Sequence, residues 1–319
     1  MGRVTFRGKI LALKVLCFGG PFLVLLALLN AFFPALKEEY DLRRFGSRAG
    51  TVTVDGVHFR LYTELPLAYA RELAAGLDRF YGGFVAGYGG RFHLEPGEEK
   101  ALVYVFRDKE ELEKWSRREF HRPMTNNGGF YDPEKREIGI VAGGEELEED
   151  LVSGFHEAVH MAFDAGPGPR ARKALSPWLS EGLAVYFGDG VTFAPGSLEW
   201  RGEAGRRIAG LIGRIRSEIE ESNSPAILSR LISAEPSSFL GPDNEFYYAA
   251  SYLLVHFLLH AEGGSSGKRL DGLYEMERRE GALYRHPEKI FRALGGDEKA
   301  LERGWRRHAR HLLQGIPGG

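Results

Sequence analysis

Hydrophobic and polar residues follow strand-like and helix-like spacings in turn along the first half of the chain. Thr51–Thr63 alternates around Asp55-Gly56, a dipeptide typical of a tight hairpin turn. Leu67–Ala86 repeats apolar residues every three or four positions and predicts a helix with one buried stripe. Ala101–Phe106 is rich in β-forming residues and predicts a buried strand, whereas Lys109–Phe120 predicts a charged amphipathic helix.

The spacing changes again before residue 150. Two short β-like runs, Phe130-Tyr131 and Glu137–Val141, are joined by Asp132-Pro133-Glu134-Lys135, which favours a turn. The acidic stretch Glu145–Asp150 favours the start of a helix, because the free N–H groups at a helix N-terminus carry partial positive charge. These runs predict a hairpin followed directly by a helix.

Helical spacing dominates after residue 150, with a strand expected only around Val191–Phe193. Arg206–Ile219 places five apolar residues on one helix face, and Phe246–His260 is apolar nearly all round, which predicts a buried helix. We therefore predict an α+β fold in which a small sheet with helices, residues 51–165, precedes a helical half, residues 166–319.

The N-terminal region has a different pattern. Val15–Leu36 contains no charged residue and is about long enough to cross a membrane as a helix. The residues before it include basic side chains and no acidic one, so the positive-inside rule puts the N-terminus in the cytoplasm. We predict a basic tail and signal anchor at 1–36, a charged juxtamembrane linker at 37–50 and an extracytoplasmic domain at 51–319. A cleaved signal peptide and a buried core helix are the alternatives.

Composition and charge narrow the function classes. The formal net charge is -2, which gives no electrostatic argument for a nucleic-acid partner. The single cysteine, Cys17, lies inside the apolar N-terminal stretch, so a disulfide within the chain and a cysteine-based zinc site are both excluded. The N-terminal helix predicts a membrane as one partner. The oligomeric state stays open.

The residues with the clearest chemistry are His156-Glu157-Ala158-Val159-His160. Side chains four positions apart on a helix point to the same side, so both imidazoles can reach one metal ion. Zinc (Zn2+) accepts such nitrogens and lowers the pKa of a bound water to about 7. Glu157, beside the first histidine, is in position to act as the general base. The apolar flank of this segment predicts that the helix is at least half buried.

A third zinc ligand is expected downstream, at Glu181. Ser176 or Pro177 would begin a helix that carries Glu181, and a Gly-Pro-Gly-Pro break at 166–169 allows this helix to pack antiparallel to the first. Asp164, four residues after His160, is the alternative ligand. We prefer Asp164 as a hydrogen-bond partner that orients an imidazole.

Two segments together resemble the gluzincin metallopeptidases. His156-Glu157-x-x-His160 is followed by Trp178-Leu179-Ser180-Glu181-Gly182-Leu183-Ala184, which is similar to the W-L-N-E-G-[FL]-A helix of aminopeptidase-N-like enzymes. It is closer still to W-L-S-E-G-L-A of the peptidase-MA-like proteins. The resemblance implies a thermolysin-like fold, zinc and peptide hydrolysis. The chain has no exopeptidase G-x-M-E-N motif, which leaves an endopeptidase or another amidase open.

Further residues are assigned to the site from their chemistry. Glu137–Val141 is our candidate for an edge strand that holds an extended substrate. Tyr248, at the more polar start of its helix, is our first choice as oxyanion donor, ahead of Tyr247 and Tyr252.

Other charged or titratable side chains are predicted to be structural. His256 and His260 are four apart without a glutamate between them and are expected to be core or helix-end residues. Four arginines near the C-terminus predict a solvated helix face, with anionic lipid head groups as an alternative contact: Arg303, Arg306, Arg307 and Arg310.

Taken together, the sequence predicts a membrane-anchored zinc-dependent metallopeptidase. Its expected partners are a peptide or protein substrate and, through the N-terminal helix, the membrane. His156, His160 and Glu181 are the predicted metal ligands, Glu157 the general base and Tyr248 a second catalytic residue. The alternatives are a zinc amidohydrolase with another substrate and a non-catalytic binding or scaffold protein. Another divalent ion is also compatible with two histidines and one glutamate.

Overall fold

The structure is a computed structural model that describes residues 39–42, 44–45, 50–97, 99–121, 128–143, 146–164, 174–194, 197–200, 206–221, 226–261 and 265–314. The chain divides into two units, Met1–Gly50 and Thr51–Gly319. All the elements named here belong to the second unit.

A mixed five-stranded sheet with two helices is formed by the first part of this unit. Its elements are β1 (Val52–Asp55), β2 (Phe59–Thr63), α1 (Leu67–Phe92), β3 (Ala101–Phe106), α2 (Lys109–Phe120), β4 (Gly129–Asp132) and β5 (Glu137–Val141). The strand order is β1-β2-β3-β5-β4. β1 pairs with β2 and β4 with β5 in antiparallel fashion, whereas β2 with β3 and β3 with β5 are parallel pairs.

The sheet corrects the predicted fold class. The prediction of an α+β, thermolysin-like domain is wrong, because the three central strands β2, β3 and β5 run parallel and are connected through helices, as in an α/β fold. Alternating polarity along a strand does not report the direction of its neighbours. The sequence pattern therefore found the strands without determining the fold class.

Most elements of this half are confirmed close to their predicted positions, but α1 is longer than expected. It runs on to Phe92, whereas the apolar stripe predicted an end at Ala86. It ends at His93, which has a left-handed backbone with φ 51°. Several glycines near its C-terminus obscure the helical pattern, and packing of Phe92 in the core outweighs their low helix propensity.

The remaining part of the unit is mainly helical, as predicted for the chain after residue 150. Its elements are α3 (Leu147–Asp164), α4 (Pro177–Ala184), a π-helical turn (Val185–Asp189), β6 (Val191–Ala194), β7 (Ser197–Trp200), α5 (Arg206–Arg214), α6 (Arg216–Glu220), α7 (Ile227–Ile232), a 3-10 turn (Pro236–Leu240), α8 (Asn244–His260), α9 (Ser265–Glu280), α10 (Pro287–Ala293) and α11 (Glu298–Gln314).

Two details of this half differ from the prediction. The expected helix over 206–219 is divided into α5 and α6 at Ile215, whose backbone departs from helical values at φ -101° and ψ 11°. The strand expected near residue 191 is present as β6, and it pairs with the unpredicted β7 in an antiparallel hairpin.

The predicted membrane localisation is also corrected. Across the residues that the structure describes, none of the helices combines the length and the apolar character needed to cross a membrane. The prediction of a single-pass membrane protein with an extracytoplasmic domain is therefore wrong by this finding. The segment 15–36, from which the anchor was predicted, lies outside the described residues.

Packing of α1 against α3 sets the position of the site. The rings of Phe80 and Phe155 stack with their centroids 4.1 Å apart. Gly154 allows this close approach, since a Cβ atom there would lie 2.6 Å from Leu77 Cδ2. Phe155 immediately precedes His156, so the same contact that fills the core also fixes the turn of α3 that carries the candidate ligands.

Candidate metal centre

Helix α3 brings three of the predicted site residues to one place. His156 and Glu157 are 8% and 7% exposed, and His160 lies one turn further on. The first turn carries Glu148, Glu149 and Asp150, whose negative charges suit a helix N-terminus. Because His156 and Glu157 are buried polar side chains, they need partners in the protein interior.

Helix α4 supplies the partner carboxylate, Glu181. It begins at Pro177, as predicted, and packs against both α3 and α8. Its start is held by Glu277 of α9, a fully buried carboxylate that accepts hydrogen bonds from the backbone N–H of Ser176, at 2.6 Å, and from the Ser176 hydroxyl. This contact anchors α4 five residues before Glu181.

Three candidate ligand atoms form a small triangle. His156 Nε2 lies 3.2 Å from His160 Nε2 and 3.2 Å from Glu181 Oε2, and His160 Nε2 lies 3.4 Å from the same Glu181 oxygen. A tetrahedral zinc ion with bonds of about 2.1 Å separates its ligand atoms by about 3.4 Å. The side chains predicted as ligands are thus already spaced as one zinc ion requires, and His156, His160 and Glu181 form a group able to hold a metal.

The far nitrogens of both imidazoles have partners of their own. His156 Nδ1 lies 3.3 Å from Asp189 Oδ1, and His160 Nδ1 lies 3.0 Å from Ser180 Oγ. A hydrogen bond at Nδ1 fixes the ring and leaves Nε2 directed at a metal. Asp189 ends the π-helical turn, and π-helical turns are often found at functional sites.

Gly188 makes the contact of Asp189 possible. A Cβ atom at residue 188 would lie 2.7 Å from both the backbone N and the Cα atom of His156, so the turn can lie against α3 only with glycine there.

Asp164, which we predicted to orient an imidazole, makes a different contact. Its Oδ2 atom accepts a hydrogen bond of 3.0 Å from the hydroxyl of Tyr131. It lies at the rim of the site rather than in the triangle of ligand atoms.

The charged groups at the site shift one another's pKa values strongly. Burial by itself would lower the pKa of His156, but the hydrogen bonds with Asp189 and Glu181 outweigh burial and raise that pKa to about 10. Burial would raise the pKa of Glu181, but the charge of His160 and the hydrogen bonds from His156 and His160 lower it well below its usual range. A cation is thus strongly favoured between these residues, whether it is a proton or a metal ion.

Glu157 points to the other side of the site, towards the sheet. A Cβ atom built on Gly129 of β4 would lie 3.0 Å from Glu157 Oε1. Burial raises the pKa of Glu157, and the charges of His156 and His160 offset part of that rise. A buried carboxylate of raised pKa is a stronger base than an exposed one.

A cavity of about 330 Å³ opens over these residues. Its apolar lining includes Phe130, Leu175 and Leu240. Of the three tyrosines considered as oxyanion donors, Tyr248 lines the cavity, with its ring centroid 6.3 Å from that of His156. Tyr247 instead receives a hydrogen bond from Arg230, and Tyr252 stacks on Tyr186.

The prediction that Glu137–Val141 is an edge strand able to hold a substrate is wrong. β5 lies between β3 and β4, so ladder hydrogen bonds occupy both of its sides. Among the described strands the outer one beside the site is β4, and its residues Gly129, Phe130 and Tyr131 line the cavity. Sequence order suggested β5 because it is nearest to α3 along the chain, whereas sheet order is set by pairing across the fold.

Three residues that build the site were not identified from the sequence. Ser180 stands within the quoted helix motif, next to Glu181, which was a usable signal. Asp189 and Glu277 carry no local signal, because the first depends on the π-helical turn and the second comes from a helix about a hundred residues away.

Comparison with models of known protein families gave no match, and comparison with curated proteins gave no match either.

Proposed function

We propose that this protein is a zinc-dependent metallopeptidase of the gluzincin kind, which hydrolyses peptide bonds with Glu157 as the general base. The observation that carries the proposal is the triangle of His156 Nε2, His160 Nε2 and Glu181 Oε2, with a further buried carboxylate beside it. A structural metal site has no use for that additional carboxylate.

His156, His160 and Glu181 would hold the zinc ion. Bound zinc would supply a Lewis acid that polarises a carbonyl group and lowers the pKa of water. Asp189 and Ser180 hold the two imidazole rings at Nδ1, so that Nε2 of each ring would be available to the ion. Two nitrogens and one oxygen leave a position open, as catalytic zinc sites do.

Glu157 is proposed to accept the proton of the attacking water and to return it to the leaving amine. Its carboxylate lies against Gly129 on β4, so the proton acceptor faces the same side of the cavity as the outer strand. Tyr248 is proposed to donate its hydroxyl hydrogen to the developing oxyanion from the opposite helix, α8.

A peptide substrate suits the outer side of β4, which faces away from β5 in the described sheet. An outer strand can bind an extended chain through backbone hydrogen bonds, and the neighbouring apolar lining can receive its side chains. This feature favours a peptide over another amide, because a small amide would make no use of a strand.

The test compares the wild-type chain with Glu157→Gln and with Glu149→Gln, a matched change at an exposed position on the same helix. Zinc content and cleavage of a peptide library are measured for all three. We expect all to bind zinc and cleavage by Glu157→Gln to fall by about 10²- to 10⁴-fold, with Glu149→Gln unaffected.

Two other outcomes would count against the proposal. If every variant binds zinc and none cleaves peptides, the protein is a different zinc amidohydrolase or a scaffold. If none binds zinc or another divalent ion, the metal site is rejected.

A further inference from the structure

Four of the ten histidines of this chain lie on one pair of packed helices, away from the site described above. His256 and His260 are four residues apart near the end of α8, and His308 and His311 are three residues apart on α11. The two helices pack against each other. Spacings of three and four put each pair on one helix face.

Three of these side chains are close in space, and we call them the α8–α11 histidine cluster: His256, His260 and His308. His256 Nδ1 lies 2.9 Å from His308 Nε2. The rings of His256 and His260 have centroids 4.2 Å apart, and His260 Nε2 lies 2.7 Å from the hydroxyl of Tyr186. His256 thus contacts two imidazoles, His260 from its own helix and His308 from α11.

Imidazoles in this cluster are in the form that binds metals. Burial lowers the pKa of His256 to about 3 and that of His308 to about 4, and burial also lowers the pKa of His260. All three rings are therefore neutral at pH 7, with a lone pair on one nitrogen of each. Neutral imidazole is a good ligand for zinc, copper and nickel.

The cluster is also reachable from solvent. His256 is buried at 9% exposure, whereas His308 is half-buried and His260 is exposed. In the present arrangement His260 faces Tyr186, so three-fold ligation requires His260 to turn towards His256 and His308. An exposed side chain at the end of a helix can make that turn without repacking the core.

We propose that His256, His260 and His308 form a second binding site for a divalent transition metal such as zinc, separate from the site on α3 and α4. His256 Nδ1 and His308 Nε2, 2.9 Å apart on two different helices, would be its base. The ring that carries the hydrogen between these two nitrogens would move it to its other nitrogen, and the two ligand atoms would separate to about 3.4 Å. Occupation would tie α11 to α8. This proposal does not depend on the proposed function.

The experiment measures zinc bound by the full chain at equilibrium, together with the visible spectrum of the Co2+-loaded protein. The variants are His260→Ala, His308→Gln and the control His286→Ala, which removes an exposed histidine outside the cluster. We expect the wild type to bind a second zinc ion, and His260→Ala and His308→Gln each to lose one of the two. His286→Ala should keep both.

A further variant, His160→Ala, separates this proposal from the proposed function. It should lose the zinc ion of the α3–α4 site and keep the ion of the cluster. The proposal is overturned if His160→Ala, in which only the cluster is left to bind metal, binds no ion at micromolar zinc. It is equally overturned if the second ion survives both His260→Ala and His308→Gln, because the ligands are then elsewhere.

Discussion

Two groups of histidines, at the α3–α4 site and in the α8–α11 cluster, show opposite electrostatics. At the first, Asp189 and Glu181 contact His156 and raise its pKa to about 10. In the second, His256 contacts His308 and His260, and burial lowers its pKa to about 3. Both groups contain a pair of histidines four residues apart on a helix, and the first histidine of each pair is buried.

The difference between them comes from the neighbouring residues. Burial disfavours a charged imidazole in both places, but carboxylates outweigh this cost at the α3–α4 site. That site therefore holds a cation even without a metal, whereas the cluster holds neutral rings. A pair of histidines at helical spacing is ambiguous, and the charges that other elements bring to it decide its chemistry.

The largest expected effect is on catalysis and concerns Tyr248 of α8, with Tyr252 on the same helix as the comparison. Tyr248 lines the cavity, whereas Tyr252 lies near the cluster, with its ring centroid 5.7 Å from that of His256. We expect Tyr248→Phe to lower kcat by about 100-fold with little change in KM, because an oxyanion donor acts mainly in the transition state. Tyr252→Phe is the control and should keep kcat. Steady-state kinetics with a peptide that the protein cleaves measure both variants. An unchanged kcat in Tyr248→Phe would show that Tyr248 is not the oxyanion donor.

The next effect concerns Asp189, the carboxylate that contacts Nδ1 of His156 at the α3–α4 site. Asp189→Asn should weaken zinc binding at this site by about 10- to 100-fold, since loss of a hydrogen-bonded carboxylate at His156 Nδ1 reduces the basicity of the ligand. Asp164→Asn removes a carboxylate that contacts Tyr131 and should have a smaller effect. Competition with a chromophoric chelator measures both. Equal losses would mean that Asp164 also orients a ligand.

A third effect tests whether helix α4 depends on its anchor. Glu277→Ala leaves the buried N–H groups of Ser176 and Leu283 without this acceptor, which should lower the free energy of unfolding by about 1–3 kcal/mol. Zinc binding at the α3–α4 site should weaken as well, because Glu181 lies on α4. Glu280→Ala, which removes an exposed pair with Lys289, should cost less than about 1 kcal/mol. Urea denaturation measures both, and similar losses would show that Glu277 is no special anchor.

The smallest effect is the response of the cluster to acid. His256 and His308 have folded-state pKa values below their usual value of 6.5, so the unfolded chain takes up protons first as the pH falls. The free energy of unfolding should therefore decrease from about pH 6.5 to about pH 4. Because His308 is half-exposed, solvent screens its share, which we expect to be under about 1 kcal/mol.

The matched variant for this effect is His308→Gln. In the presence of a chelator, its stability should fall less steeply with acid than that of the wild type, while shared carboxylate effects cancel. Identical slopes in urea denaturation from pH 7 to pH 4 would show that His308 does not titrate differently in the folded chain.

Local spacing let the sequence by itself determine several parts of this protein. The β1–β2 hairpin, β3, α2, β5 and α8 lie where alternation and helical periodicity put them. His156 and His160 share a face of α3 because residues four apart on any helix do so. Glu181 was predicted as the third ligand because the helix that carries it is near in sequence and has a recognisable start at Pro177. Each of these features depends on residues that are close to one another along the chain.

Only the tertiary structure decided the rest, because it depends on pairing and packing between distant residues. Parallel strand direction and the outer position of β4 depend on hydrogen bonds between separate strands, and they overturned the predicted fold class and substrate strand. Asp189 reaches His156 through a π-helical turn and the space left by Gly188. His308 meets His256 from another helix, 52 residues away. Spacing along the chain carries no information about such contacts.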